Sequence, residues 1–96
     1  MSLPFDPRFK YEISATTTTG NTAISAASPA LRVFNAGTVT VKLKWGSGAQ
    51  TATTSDYTVA VASGAVECFT KGGADNIAAI TDSGTATVYV NVGVGE

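Results

Sequence analysis

Histidine is absent from this chain, and with it goes the commonest general base and metal-ligating side chain, so no Ser-His or Cys-His pair can be assembled. Cysteine is nearly absent. The single thiol, Cys68, cannot close a disulfide within the chain and carries no signal of redox compartment. Charge is scarce too: six Lys and Arg against seven Asp and Glu leave a net charge of -1 over 96 residues. The cations are scattered, whereas phosphate neutralisation needs them clustered, so no nucleic-acid partner is expected. The longest apolar run, Val59 to Val66, is broken by Ser63-Gly64. It falls far short of the roughly 18 residues that span a bilayer, so no membrane role is expected. Met1 to Tyr11 mixes prolines, an aspartate and aromatics without an apolar centre, which is not the pattern of a secretory signal.

Candidate chemistry is thin. Asp6, Glu12, Asp56, Glu67, Asp75, Asp82 and Glu96 stand apart from one another in sequence. Only Asp75 and Asp82 could converge on a Ca²⁺, and Asp beside Gly or Asn more often caps a turn. Gly72-Gly73 lacks the lysine and the following helix of a phosphate cradle. Cys68 alternates with Val66 and Thr70, which reads as a buried, inert thiol. The expectation is a protein that is not an enzyme and holds no cofactor and no metal.

Alternation, by contrast, is everywhere. Val39, Val41, Leu43 and Trp45 interleave with Thr38, Thr40, Lys42 and Lys44, the period-2 pattern of a strand with one wet face. Together with Leu31 to Phe34 this reads as a central hairpin turning at Asn35-Ala36-Gly37, with Gly37 supplying a positive φ. Trp45 is in phase with the apolar set and reads as core rather than as a sugar platform. Further strands are expected over 9–17, 22–27, 56–61, 65–71, 76–81 and 85–92, with Gly20-Asn21 and Gly84 in turns and a long loop from Gly46 to Asp56 that has almost no apolar anchor. About eight short strands at this spacing indicate an all-β protein, a single antiparallel β-sandwich of jelly-roll or Ig-like order. The expected core is Val33, Val39, Val41, Leu43, Trp45, Val59, Val66, Ile77, Val88 and Val90. The sandwich is assigned to residues 9–96. Residues 1–8 form an extended arm, because Pro4 and Pro7 rule out a helix or a central strand there.

Three blocks carry a resemblance: RVFNAGTVTVKLKWG (Arg32 to Gly46), AVECF (Ala65 to Phe69) and DNIAAITDSGTATVYVNVGVGE (Asp75 to Glu96). Together they resemble small virion structural proteins of tailed bacteriophages. The resemblance implies a non-enzymatic capsid decoration or cement protein that binds the major capsid protein or other virion proteins. It also implies a location in the virion after assembly in the host cytoplasm, and a homo-oligomer, commonly a trimer. It brings no catalytic residue with it. The other function to weigh is a carbohydrate- or receptor-binding module, for which Trp45 and Tyr57 would be the aromatics to inspect.

The alternation also leaves aromatics on the wrong side. Phe34 falls with Arg32, Phe69 with Glu67 and Lys71, and Tyr89 with Thr87 and Asn91. Three outward aromatics on separate strands imply that part of the outer face is covered, unless a bulge has shifted a register. The cover would be the chain's own arm or a neighbouring subunit. Phe5, Phe9, Phe34, Phe69 and Tyr89 are accordingly the candidate contact residues.

Overall fold

The computed structural model describes residues 6–94. Eight strands follow one another without a helix among these residues: β1 (Asp6–Ala15), β2 (Gly20–Ala23), β3 (Ala30–Asn35), β4 (Val41–Gly46), β5 (Val59–Val61), β6 (Val66–Thr70), β7 (Asn76–Thr81) and β8 (Ala86–Val94). They form two antiparallel four-stranded sheets in the orders β1-β8-β3-β6 and β2-β7-β4-β5. Every connection except β4 to β5 passes from one sheet to the other, and the first and last strands lie side by side. This is the order of a jelly roll, not of an Ig domain. Met1 to Phe5, the outer part of the expected arm, lie outside the described residues. Asp6 to Arg8 already belong to β1, which pairs with β8 from Asp6 opposite Val94. Pro7 is accommodated because β1 is an edge strand and its register shifts between Pro7 and Phe9, the two situations in which a strand tolerates a missing donor.

The central hairpin does not exist. β3 pairs with β8 and β6, and β4 with β7 and β5, so Asn35-Ala36-Gly37 begins a crossover between sheets. Asn35 explains why. Its side chain is fully buried, and its amide nitrogen donates to the carbonyls of Val39 at 2.8 Å and Val61 at 2.9 Å. Its carboxamide oxygen accepts from Gly37 N–H at 2.9 Å. One side chain at the end of a strand of the first sheet thereby holds the entry to β4 and the exit of β5 in the second. Gly37 does not adopt a positive φ. It is glycine because a Cβ there would collide with the Cβ of Ala86 and stand 2.7 Å from its Cα. Gly84 does adopt one (72°), but it too serves a passage between sheets, from β7 to β8. Gly20-Asn21, expected in a turn, opens β2 with ordinary backbone angles.

The core lies between the sheets. Ile13, Leu31, Val33, Val88, Val90 and Val92 from one sheet meet Val41, Leu43, Val61, Ile77 and Ala79 from the other, all essentially inaccessible to water. Val39, Trp45 and Val59 pack against this cluster from its rim. One expected core residue is misplaced: Val66 is 47 % exposed, because β6 runs in the opposite phase to that read from the sequence.

Leu43→Ala opens a cavity at a site with no exposure and is expected to cost roughly 2–5 kcal/mol. Asn35→Ala orphans two carbonyls and one N–H and is expected to cost roughly 2–4 kcal/mol. Both are read as shifts of the urea midpoint at unchanged m-value. A wild-type midpoint for either variant contradicts the corresponding assignment.

Candidate interaction surface

The outer faces of the two sheets have opposite fates. On the β2-β7-β4-β5 sheet, Lys42, Lys44, Ala78 and Ile80 point outward, and the segment between β4 and β5 folds back over them. Its anchor is Ala52, 1 % exposed against Ala78 and Ile80. Gln50 N–H donates to Asn21 Oδ1 (2.8 Å) and Ala52 N–H to Thr19 Oγ1 (3.0 Å). Lys42 Nζ donates to the Thr54 carbonyl at 2.7 Å, pairs with Asp82 at 3.0 Å, and sits 4.9 Å from the centre of the Tyr57 ring. Lys44 pairs with Asp56 at 2.9 Å. Both lysines of this face are thus neutralised by the chain itself.

The outer face of the β1-β8-β3-β6 sheet has no such cover among the described residues. Cross-strand partners share a face, and the registers lay out two rows across the four strands. One runs Glu12, Tyr89, Phe34, Val66; the other Lys10, Asn91, Arg32, Cys68. In the first row Phe34 and Tyr89 stack, ring centres 6.1 Å apart and planes 18° apart. Tyr89 remains 43 % exposed. A groove of about 450 Å³ adjoins them, lined by Lys10, Tyr11, Glu12, Tyr89, Val90 and Asn91.

Of the five residues singled out in the sequence, Phe34 and Tyr89 come together on this face. Phe5 lies outside the described residues. Phe9 pairs with Val92 on the inner side of β1, yet is 42 % exposed. Phe69 does not face outward. It packs against the core and against Trp45, ring centres 5.3 Å apart. β6 is an edge strand, so its alternation alone does not say which set turns inward, and the place beside Trp45 takes the ring. The same phase carries Lys71 inside, where its ammonium donates to the carbonyls of Ala74 (2.8 Å) and Gly72 (3.3 Å). Desolvation by burial pushes its pKa down, and the charge of Asp75 acts the other way. The thiol expected to be buried, Cys68, is exposed, as the other consequence of the phase.

Asp75 and Asp82 do not converge. They flank opposite ends of β7, roughly 23 Å apart at strand pitch. Asp82 is the partner of Lys42, while Asp75 accepts from Gly48 N–H at 2.9 Å and Asn76 Nδ2 at 2.7 Å. Those bonds, the one from Gly48 foremost, hold the Asp75 carboxyl below its ordinary value of 3.8. A carboxyl with a depressed folded pKa stabilises the fold above its unfolded value and loses that contribution as pH falls through the folded one. Asp75→Asn is therefore expected to flatten the loss of melting temperature on acidification below about pH 3.8. A variant with the wild-type acid slope contradicts the assignment.

No family model matches the sequence, and no curated protein matches it. Solved structures do resemble it in fold. One is described as the crystal structure of PirA, at 12 % identity and a TM-score of 0.52, covering 93 % of this chain and 96 % of that one. Another comes from work on Bacillus endospore appendages described as a novel family of disulfide-linked pili. It matches at 17 % identity and a TM-score of 0.50, covering 98 % of this chain and 91 % of that one. At such identities the likeness is one of fold alone, extending over nearly the whole chain.

Proposed function

We propose that this chain is a non-enzymatic structural subunit that acts by protein contact, through the outer face of the β1-β8-β3-β6 sheet. The observation that carries the reading is the contrast between the two outer faces. One is sealed by the chain's own segment around Ala52, while the other presents Tyr89, Val66 and Cys68 to solvent beside the Phe34 ring. Apolar side chains grouped on one face and framed by polar ones mark an interaction site.

The specific assembly we favour is the virion of a tailed bacteriophage, with the chain as a decoration or cement protein on the capsid lattice. The support is the motif resemblance, whose blocks fall on β3 and β4, on β6, and on β7 and β8. A pilus subunit is the other assembly brought up by a fold neighbour. A disulfide-linked polymer needs at least two cysteines per subunit, and these 96 residues contain one, so they cannot by themselves form a polymer of that kind. A carbohydrate ligand is favoured by one observation, the exposed Tyr89 ring at a groove edged by Lys10, Glu12 and Asn91.

Co-sedimentation with capsid shells of a tailed phage, run beside a glycan array, separates these readings. Wild-type chain is expected to bind shells saturably and to leave the array silent. Tyr89→Glu is expected to weaken shell binding at least about tenfold, the effect of losing an aromatic anchor, without lowering the melting temperature. A variant that binds shells as tightly as wild type contradicts the choice of face.

A further inference from the structure

The uncovered face has a property beyond its apolarity: it is complementary to itself. The acidic residue, Glu12, lies in the aromatic row, whereas the basic residues, Lys10 and Arg32, lie in the neighbouring row, about 6.8 Å away along the strands. None of the three makes an ion pair with another described residue, although both lysines on the opposite sheet are paired. Both rows cross the strands in the same order. Consider a two-fold axis in the plane of contact, running across the strands midway between the rows. It lays each row of one copy on the other row of its partner. Glu12 then meets Lys10 twice, Phe34 meets Arg32 twice, Tyr89 meets Asn91, and Val66 meets Cys68. The Glu12 and Lys10 charges cancel, and each Arg32 guanidinium comes over a Phe34 ring. In a symmetric pair each contact occurs twice by necessity.

We infer that this face, in the protein free of any larger assembly, pairs with a second copy of this chain, docked face to face in this two-fold register; the inference rests on the reading of the face as a contact surface. Docking by strand edges is disfavoured in this sheet. Pro7 and the register shift blunt β1, and β6 is five residues long with Glu67 opposite the buried Val33, an inward-turned charge of the kind that discourages edge pairing. Four strands about 4.8 Å apart and roughly 25 Å of strand length offer about 500 Å² per copy. A pair thus reaches about 1,000 Å², the lower limit of a specific interface. Such a dimer dissociates on dilution, and strands packed face to face suit the aligned geometry of β-sheets.

Sedimentation velocity of the purified chain over a dilution series tests the pairing by charge reversal. Wild type is expected to move from twice its 9.7 kDa chain mass to that mass on dilution. Glu12→Lys is expected to be monomeric at every concentration, because each Lys10 then faces a lysine. The double variant Glu12→Lys with Lys10→Glu is expected to recover the wild-type association, since the pair is restored with its sign exchanged. Both positions of substitution are on the surface, and an unchanged melting temperature verifies that folding is not at issue. A wild type monomeric throughout the series overturns the second-copy inference. If Tyr89→Glu nonetheless abolishes shell binding, the contact-face reading survives it. Association lost in Glu12→Lys but not recovered in the double variant overturns the register.

Discussion

The buried carboxamide of Asn35 is the constraint on which the topology depends. A jelly roll of this order has to pass from sheet to sheet at nearly every connection, and each passage exposes backbone groups that no ladder satisfies. Asn35 supplies two donors and an acceptor at the point where β3 leaves one sheet and β4 enters the other. It also reaches the exit of β5, and its own backbone is bonded to Ala65 and Gly64 on the way into β6. Two crossovers on the same side of the sandwich are thereby tied to one side chain. Gly37 completes the arrangement by letting the crossover lie directly on Ala86. An apolar residue in place of Asn35 would bury the same volume and leave the crossovers without partners, which is why a polar residue sits at the edge of a core made of Val, Leu and Ile.

From that frame follows the division of labour between the outer faces. β4 to β5 is the one connection that stays within a sheet, and its length is used to cover that sheet's outer surface. Its bonds go to polar residues spread over Thr19, Asn21, Asp75, Lys42 and Lys44, with a single methyl group, that of Ala52, as the apolar anchor. The other sheet has no connection long enough to return over it. Among the described residues nothing covers its outward side chains, and the aromatic stack, the groove and the unpaired Lys10, Glu12 and Arg32 occur together there. On the proposed reading, function in this protein is a matter of which surface the topology leaves open.

Much of this was legible in the sequence and some of it was not, for reasons that can be named. Central strands read well: in β3 and β8 every second residue is buried between two neighbours, so the inner set Leu31, Val33, Val88 and Val90 could be picked out, and the outward Phe34 and Tyr89 with it. β6 read in the wrong phase, since an edge strand with Val66, Cys68 and Phe69 in near succession has apolar residues on both faces, and only the position of Trp45 across the sandwich decides between them. The crossover at Asn35 looked like a hairpin because Asn and Gly are also hairpin residues. What distinguishes the two is the chain's long-range pairing, which leaves no local mark. The segment around Ala52 looked unanchored because one alanine and a handful of side-chain hydrogen bonds give no periodic signal.

Cys68 offers the most direct measurement of whether the open face is a contact surface. It lies in that face, beside Arg32 and exposed, and it is the chain's single thiol, so its alkylation reports one place without interference. Modification is expected to be fast in dilute protein and to slow markedly as concentration rises and a second copy comes to lie over β6. An alkylation rate that stays the same across the whole concentration range contradicts self-association through this face.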